Sequence, residues 1–274
     1  MSGEQPIRLS GSPDLKEATM IVAWAEDASS LGVRTTDYLI QSLGCREFGE
    51  ILPEGFFPMG GVNVVDDVAR FPQSKFYVCD SNNLVIFKSS IPRVGWHRFL
   101  TSLLDVAQQD CGVKEIYTVG AMISSAAHTV PRLLISIVNN QEIKAALEPY
   151  NVMADNDYET PPGQKPTLSS YLAWLAGQRG IAAVNLWVPV PYYLVPIDDP
   201  RSVKRLVYFF NSKFDLGVDF TALDAVIAEQ NNRIAQLFEK SPEIKNMVRR
   251  LEVGDGLDGE ESEKLAHEIA EALK

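Results

Sequence analysis

A regular alternation of strand-like and helix-like segments constrains the fold of this chain more than any other feature of its sequence. Residues 19–24 (TMIVAW) are short, apolar and rich in β-branched side chains, which is typical of a buried strand. Residues 28–43 then carry apolar side chains at helical spacing and stop at Gly44. Strands that alternate with helices predict an α/β domain whose sheet is parallel or mixed and has helices on both faces.

The same patterns predict the remaining elements. The polar cluster Asp80-Ser81-Asn82-Asn83 separates two apolar segments and indicates a hairpin. Thr167 and Asp219 each precede a helical pattern and are predicted to cap it. Pro189 to Pro196 should not continue a central strand, because each proline removes a ladder donor. The predicted strands span 19–24, 76–79, 84–87, 113–119, 133–138 and 181–188, and the predicted helices span 28–43, 95–109, 167–178, 201–213, 219–240 and 262–273, with a short helix starting at 242.

Charge is distributed unevenly along the chain. It has 36 acidic and 25 basic residues, and its formal net charge is −11. Such a balance offers no basic footprint for a phosphate backbone, so we expect no nucleic-acid partner. Arg249 and Arg250 precede the most acidic segment and are predicted to form salt bridges with it. No window of 18 apolar residues and no signal-peptide pattern occurs, so we expect a cytoplasmic protein without membrane contact.

Composition and periodicity together predict three parts. Residues 1–215 form the α/β core. Residues 216–251 form a helical extension that packs on the core or at a subunit interface, because their apolar side chains repeat at heptad-like spacing. Residues 252–274 form an acidic, glycine-rich joint and a terminal helix.

The three cysteines lie 34 and 32 residues apart, at Cys45, Cys79 and Cys111. An odd number without C-x-x-C spacing indicates neither a disulfide framework nor a zinc site. Cys79 lies in an apolar strand-like run, where a free cysteine serves as a small buried hydrophobe. The chain also lacks a glycine-rich phosphate loop, an H-E-x-x-H motif and a G-x-S-x-G motif, so we expect no metal, no cofactor and no familiar catalytic motif.

Several candidate binding residues follow predicted strands. Ligands of open α/β sheets bind just outside the carboxyl ends of the strands, so a pocket is expected there. Asp27 could cap the following helix or act as one of two paired carboxylates in acid–base chemistry. His128 could be a general base or a loop histidine bonded to backbone carbonyls. The candidate pocket residues are Trp24, Glu26, Asp27, Asp80, Gly120, Met122 and His128.

Two loops carry candidate interaction residues. Phe56, Phe57 and Met59 lie in a segment rich in proline and glycine, and they could form a partner-binding hot spot. Tyr192 and Tyr193 lie between prolines, where they could form a rigid recognition surface or pack in the core.

Three stretches resemble the proteasome assembly chaperone family of the second type, including its archaeal and bacterial members. They are 21–24 (IVAW) with 31–40 (LGVRTTDYLI), 113–121 (VKEIYTVGA), and 180–194 (GIAAVNLWVPVPYYL). The resemblance implies a three-layer α/β/α sandwich similar to the phosphorylase/hydrolase-like fold, with a helical C-terminal extension. It also implies a homo-oligomer, of which a trimer is one form, and contacts with proteasome-related subunits. Several such chaperones end in a hydrophobic-Tyr-any tripeptide, whereas here Leu273 stands where the tyrosine belongs.

These observations support two functional hypotheses. The first is a non-catalytic binding or assembly protein that acts through protein–protein contacts. The second is a small-molecule enzyme of nucleoside-phosphorylase or hydrolase-like architecture, with a pocket at the strand ends.

Overall fold

The structure is a computed structural model, and it describes residues 6–57, 63–154, 156–157 and 159–274. Within these residues, nine strands form one mixed sheet and two more form a separate hairpin. The sheet strands are β1 (Ile7–Leu9), β2 (Thr19–Trp24), β3 (Arg46–Ile51), β6 (Ser74–Cys79), β7 (Leu84–Ser89), β8 (Glu115–Ser124), β9 (Leu134–Val138), β10 (Val152–Met153) and β11 (Ala182–Pro191), and the hairpin is β4 (Asn63–Val65) with β5 (Val68–Arg70).

Eight α-helices accompany these strands in the described part of the chain. Thr167 caps one of them through a hydrogen bond from the Ser170 amide, as predicted. The predicted cap Asp219 lies one residue before the N-cap position and accepts the Thr221 amide instead. The helices are α1 (Leu31–Leu43), α2 (Trp96–Asp105), α3 (Gln141–Leu147), α4 (Leu168–Gln178), α5 (Pro200–Phe214), α6 (Thr221–Lys240), α7 (Pro242–Glu252) and α8 (Gly259–Leu273).

The centre of the sheet is parallel. The strand order is β1-β3-β6-β7-β2-β8-β11-β9-β10. Strand β2 runs parallel to both β7 and β8, and β8 runs parallel to β11. The carboxyl ends of these four strands therefore meet at one edge of the sheet, which we call the carboxyl edge. The predicted hairpin between residues 79 and 84 is present, so β6 runs antiparallel to β7.

Apolar clusters on the two faces of the sheet define three layers. On one face, Met20 and Val22 of β2 pack with Phe99 of α2 and Leu172 of α4. On the other face, Ile21 of β2 shares a cluster with residues of α1, α3, α5, α6, α7 and α8. The alternation along β2 assigns its side chains to opposite faces. The predicted α/β/α fold is therefore confirmed, and the division of the chain at residues 215 and 251 stays a prediction.

The prediction that the proline-rich segment ends the strand was wrong. Strand β11 continues through Pro189 and Pro191, which pair with β8. The neighbour on the other side, β9, pairs only with residues 184–187. Among the residues that the structure describes, no strand therefore pairs with this side of β11 beyond Trp187. Residues two apart on a strand direct their backbone amides to the same side. The missing N–H groups of Pro189 and Pro191 are therefore both accommodated on the side that needs no hydrogen-bond donor.

Two of the cysteines also differ from the prediction. Cys79 is buried, but it forms a disulfide with Cys45. The pair meets because Arg46 at the start of β3 is in register with Val78 near the end of β6. Sequence spacing alone does not reveal that antiparallel pairing. Cys111 is free and buried, and burial raises the pKa of its thiol to about 12.

The terminal helix packs on the body of the protein. Helix α8 begins with a complete capping box between Asp258 and Glu261. Its Leu265 and Ile269 are fully buried in the same cluster as the sheet, and Leu273 packs at the margin of that cluster. Arg250 forms salt bridges with Asp255 and Glu261, as predicted for this arginine.

Candidate functional site

A crevice of about 280 Å³ opens at the carboxyl edge, where ligands of open α/β sheets bind. Its walls come from the loop after β2, from β8 and β11, and from the first turn of α4. Most of the lining is apolar, including Trp24, Ile91 and Trp187. Of the seven residues predicted for a pocket, the structure brings four together here: Trp24, Glu26, Asp27 and Gly120.

Asp27 is the ionisable group at the centre of this crevice. One carboxylate oxygen accepts a hydrogen bond from the Ala121 amide at 2.8 Å, and the other accepts from the Gly32 amide at 3.1 Å. The second bond satisfies the Gly32 amide in the first turn of α1, so Asp27 caps the N-terminal end of that helix. These hydrogen bonds lower the pKa of Asp27, but burial has the larger effect and raises it from 3.8 to about 6.

Backbone geometry fixes the loop that carries Asp27. Ser29 and Ser30 both have positive φ angles, of 60° and 49°. Left-handed conformations of this kind are costly for residues other than glycine and concentrate at functional sites. The hydroxyl of Ser29 donates to the Ile197 carbonyl, which ties the strained turn to the loop before α5.

Trp24 and Glu26 are held in place by hydrogen bonds. The indole N–H of Trp24 donates to the Ser169 hydroxyl at 2.9 Å, in a buried contact. The Glu26 carboxylate accepts from the Ile91 amide at 2.7 Å. Glu26 thus holds the loop after β7 through an exposed side-chain-to-backbone hydrogen bond, which is a structural role.

Gly120 allows Trp187 and Asp27 to approach the floor of the crevice. A Cβ added at this position would lie 3.2 Å from the Trp187 ring and 3.4 Å from an Asp27 carboxylate oxygen. Any larger residue would therefore push the indole or fill the crevice. The glycine is explained by this close approach, since its φ angle is not positive.

The structure places His128 outside the crevice, in the interior of the protein. Its side chain is only 5% exposed, and its Nδ1 lies 2.9 Å from the Tyr193 hydroxyl oxygen. That oxygen also accepts the His128 amide at 2.6 Å, so the hydroxyl proton is free to point to Nδ1. Burial, together with the charges of Arg132 and Arg201, lowers the pKa of His128 to about 4. The predicted general base is thus a neutral, buried histidine.

The other two predicted pocket residues also lie elsewhere. The sequence predicts Asp80 at the carboxyl edge because it follows a strand, but that strand, β6, runs antiparallel to β7. Asp80 therefore lies at the opposite edge of the sheet, where Arg46 donates two hydrogen bonds to it. Met122 lies on β8 beyond the crevice and is 44% exposed.

Beside the crevice, an apolar patch lies on one face of the sheet, on strands β8 to β11. Register puts Met153, Ile135 and Trp187 in one row across β10, β9 and β11, and places Pro189 opposite Met122. Paired residues project from the same face of a sheet. Met153 and Ile137 are 50% and 44% exposed. We call this surface the sheet patch; it consists of Met122, Ile135, Ile137, Met153, Trp187 and Pro189.

The predicted interaction loops are mostly internal. Phe56 is fully buried and packs edge-on against Phe99, so it cannot contact a partner directly. Phe57 is half-buried against the same ring, and Met59 lies outside the described residues. Tyr193 is fully buried. Tyr192 packs against the cluster that holds α8, so the proline-flanked tyrosines support the terminal helix rather than an open surface.

Within the described ranges, no three His, Cys, Asp or Glu side chains come together as metal ligands. Among the same residues, no helix has both the length and the apolar character needed to span a bilayer.

Comparison with known proteins places the chain among similar structures. The family model described as PAC2 family matches residues 21–238. A search of curated proteins finds no significant match.

Several solved structures share the fold. A protein of unknown function from Corynebacterium glutamicum is 18% identical, with a TM-score of 0.76 over 91% of this chain and 96% of that one. PbaB, an archaeal proteasome activator from Pyrococcus furiosus, is 20% identical, with a TM-score of 0.67 over 85% and 99%. A proteasome-assembly chaperone homologue from Mycobacterium tuberculosis is 19% identical, with a TM-score of 0.66 over 80% and 94%.

Proposed function

Because this chain belongs to the PAC2 family, we propose that it is a non-catalytic assembly-chaperone-like protein that acts through protein–protein contacts. The names of two proteins of the same fold, a proteasome activator and a proteasome-assembly chaperone homologue, point to proteasome-related subunits as partners. We propose further that the chain works as a homo-oligomer in the cytoplasm.

The observation that carries this proposal is the sheet patch. Contiguous exposed apolar surface on a soluble domain marks a site of protein contact. The patch lies on a rigid element, because its residues belong to four hydrogen-bonded strands. An apolar surface built on strands and outside a cavity suits a second protein better than a small ligand, since small ligands are enclosed by concave sites. We assign the patch to the contact between copies of this chain.

Light scattering coupled to size exclusion tests this assignment. The double variant Ile137→Gln with Met153→Gln removes apolar surface from two exposed positions, so we expect a smaller mass than that of the wild type. Val226→Gln is the matched control, because Val226 is equally exposed on α6, away from the patch. A wild-type monomer, or an unchanged mass in the double variant, contradicts the oligomer proposal.

A separate experiment tests the assembly role. Purified proteasome α subunits of the source organism are mixed with the protein, and the formation of assembly intermediates is followed on native gels. We expect a complex with α subunits and faster formation of intermediates. A lack of any complex at micromolar concentrations contradicts the proposed partner.

The cytoplasmic location has a testable consequence for Cys45 and Cys79. Disulfides are rare in a reducing cytosol, so this pair should be largely reduced in cells and oxidise after purification. Alkylation of thiols in acid-quenched cells, followed by mass spectrometry, measures the reduced fraction. A fully oxidised pair in cells contradicts the location.

The crevice supports a small-ligand enzyme as a second candidate. The observation that favours it is the combination of an apolar cavity with a carboxyl group whose pKa is raised to about 6. A thermal-shift screen against uncharged nucleosides tests it. A stabilisation that Asp27→Asn removes would support the enzyme, and no response to any nucleoside would reject it.

A further inference from the structure

A second cavity, of about 470 Å³, lies between α5, α6 and the loop that connects β8 to β9. Four basic side chains line it: Arg132, Arg201, Lys204 and Arg205. Three of them project from α5 at spacings of three and four residues, which puts them on one face of that helix. We call this cavity the basic cleft. In the described part of the chain, it shares no lining residue with the crevice at the carboxyl edge.

The charges in the basic cleft do not cancel. Arg132 forms a salt bridge with the buried Asp199, and Lys204 forms one with Asp224. Arg201 instead donates to the Asn231 side-chain carbonyl. Arg205 donates to two backbone carbonyls, those of Tyr150 and Asn151.

Among the described residues, neither Arg201 nor Arg205 forms a salt bridge with a carboxylate. Two positive charges therefore remain uncompensated at this cleft, in a protein whose formal net charge is −11.

Two guanidinium N–H groups of the lining residues are buried and have no hydrogen-bond partner among the residues that the structure describes. They are Nη2 of Arg132 and Nε of Arg201. The Arg132 side chain is 5% exposed. A buried, charged donor without an acceptor is costly and rare in native proteins. Burial also lowers the pKa of Arg205, because its charged form is partly withdrawn from water.

We propose that the basic cleft binds a small phosphate monoester. Guanidinium groups present paired donors that match phosphate and carboxylate oxygens. The two uncompensated charges match a phosphate monoester, which carries −1.5 to −2 near neutral pH, better than a singly charged carboxylate. The rest of the ligand has an apolar wall to contact, formed by Val130, Ile227 and the 56% exposed Tyr208. The cavity volume is within the range of small-molecule sites.

This site goes beyond the proposed assembly role and does not depend on it. Its ligand would bind at α5 and α6, whereas the sheet patch lies on β8 to β11. Loss of either property by mutation would therefore leave the other unchanged.

Isothermal titration calorimetry at constant ionic strength tests the proposal with phenyl phosphate, inorganic phosphate and benzoate. We expect phenyl phosphate to bind more tightly than inorganic phosphate, and benzoate to bind at least tenfold more weakly than phenyl phosphate. The variant Arg205→Gln should weaken both phosphate probes at least tenfold, since it removes a charged donor. Arg8→Gln is the matched control, because Arg8 is an exposed arginine on β1 whose loss changes net charge equally.

A second variant keeps the test valid if Arg205→Gln fails to fold. Tyr208→Ala changes an exposed side chain, so it should fold; it should weaken phenyl phosphate several-fold and leave inorganic phosphate unchanged. No binding of either phosphate probe overturns the proposal. Equal affinity for benzoate and phenyl phosphate overturns the assignment to phosphate, and equal weakening by Arg8→Gln shows that binding reflects net charge only.

Discussion

Acidification from pH 7.5 to 5.0 should change the stability of this protein through two buried groups whose effects oppose each other. Burial lowers the pKa of His128 from 6.5 to about 4 and raises that of Asp27 from 3.8 to about 6. The unfolded chain binds a proton at residue 128 more readily than the native state does, so acidification through this histidine destabilises the protein. The native state binds a proton at Asp27 more readily, so acidification through this carboxyl group stabilises it.

The magnitudes follow from the two pKa values. Between pH 7.5 and 5.0, His128 should lower the free energy of unfolding by about 2 kcal/mol, and Asp27 should raise it by about 1.4 kcal/mol. The two contributions nearly cancel in the wild type. His128→Asn removes the first and retains an acceptor for the Tyr193 hydroxyl. Asp27→Asn removes the second and retains one carbonyl oxygen.

Urea unfolding at both pH values measures these differences. Relative to the wild type, the free energy of unfolding of His128→Asn should change on acidification by about 2 kcal/mol in the stabilising direction. That of Asp27→Asn should change by about 1.4 kcal/mol in the destabilising direction. His267→Asn is the control, because His267 is exposed on α8, and it should follow the wild type. Identical pH dependence in all four proteins would refute the claim that burial controls these two groups.

Three further predictions concern stability. The Cys45–Cys79 disulfide closes a loop of 34 residues, and its reduction should lower the free energy of unfolding by about 4 kcal/mol. Denaturation with and without dithiothreitol measures this difference, and the stability of Cys45→Ser should be insensitive to the reductant. Gly32→Ala should destabilise the protein by about 1–3 kcal/mol, although alanine has the better helix propensity, because the new Cβ would lie 3.0 Å from the Val119 carbonyl oxygen. A higher melting temperature of this variant would contradict the prediction. Ile269→Ala should cost about 2–5 kcal/mol in urea unfolding if α8 is part of the cooperative core, and a change below 0.5 kcal/mol would show that the helix is detached.

Local patterns were sufficient for most elements of the fold. The apolar run at β2 and the polar turn between β6 and β7 encode their structure within a few residues, and both elements form as predicted. The position of the crevice was also predictable in outline. Ligands of open α/β sheets bind outside the carboxyl ends of the strands, and this rule requires only that the central strands of the sheet run parallel. That rule located Trp24, Asp27 and Gly120 together.

Features that depend on strand pairing were not predictable from local patterns. The position of Asp80 depends on the direction of β6, and the disulfide depends on the register between β3 and β6. The role of His128 depends on Tyr193, which lies 65 residues away in the sequence. The basic cleft did leave a signal, because Arg201, Lys204 and Arg205 follow helical spacing on a predicted helix. Its fourth member, Arg132, comes from a distant loop and joins the others only in three dimensions.

The two prolines near the end of β11 also affect how this protein behaves at high concentration. An unpaired strand side next to exposed apolar residues is a template for intermolecular β-sheet growth and aggregation. Pro189 and Pro191 withhold the amide donors that an incoming chain would need on that side. The exposed apolar side chains of the sheet patch can therefore lie beside this strand while its backbone resists the addition of further strands.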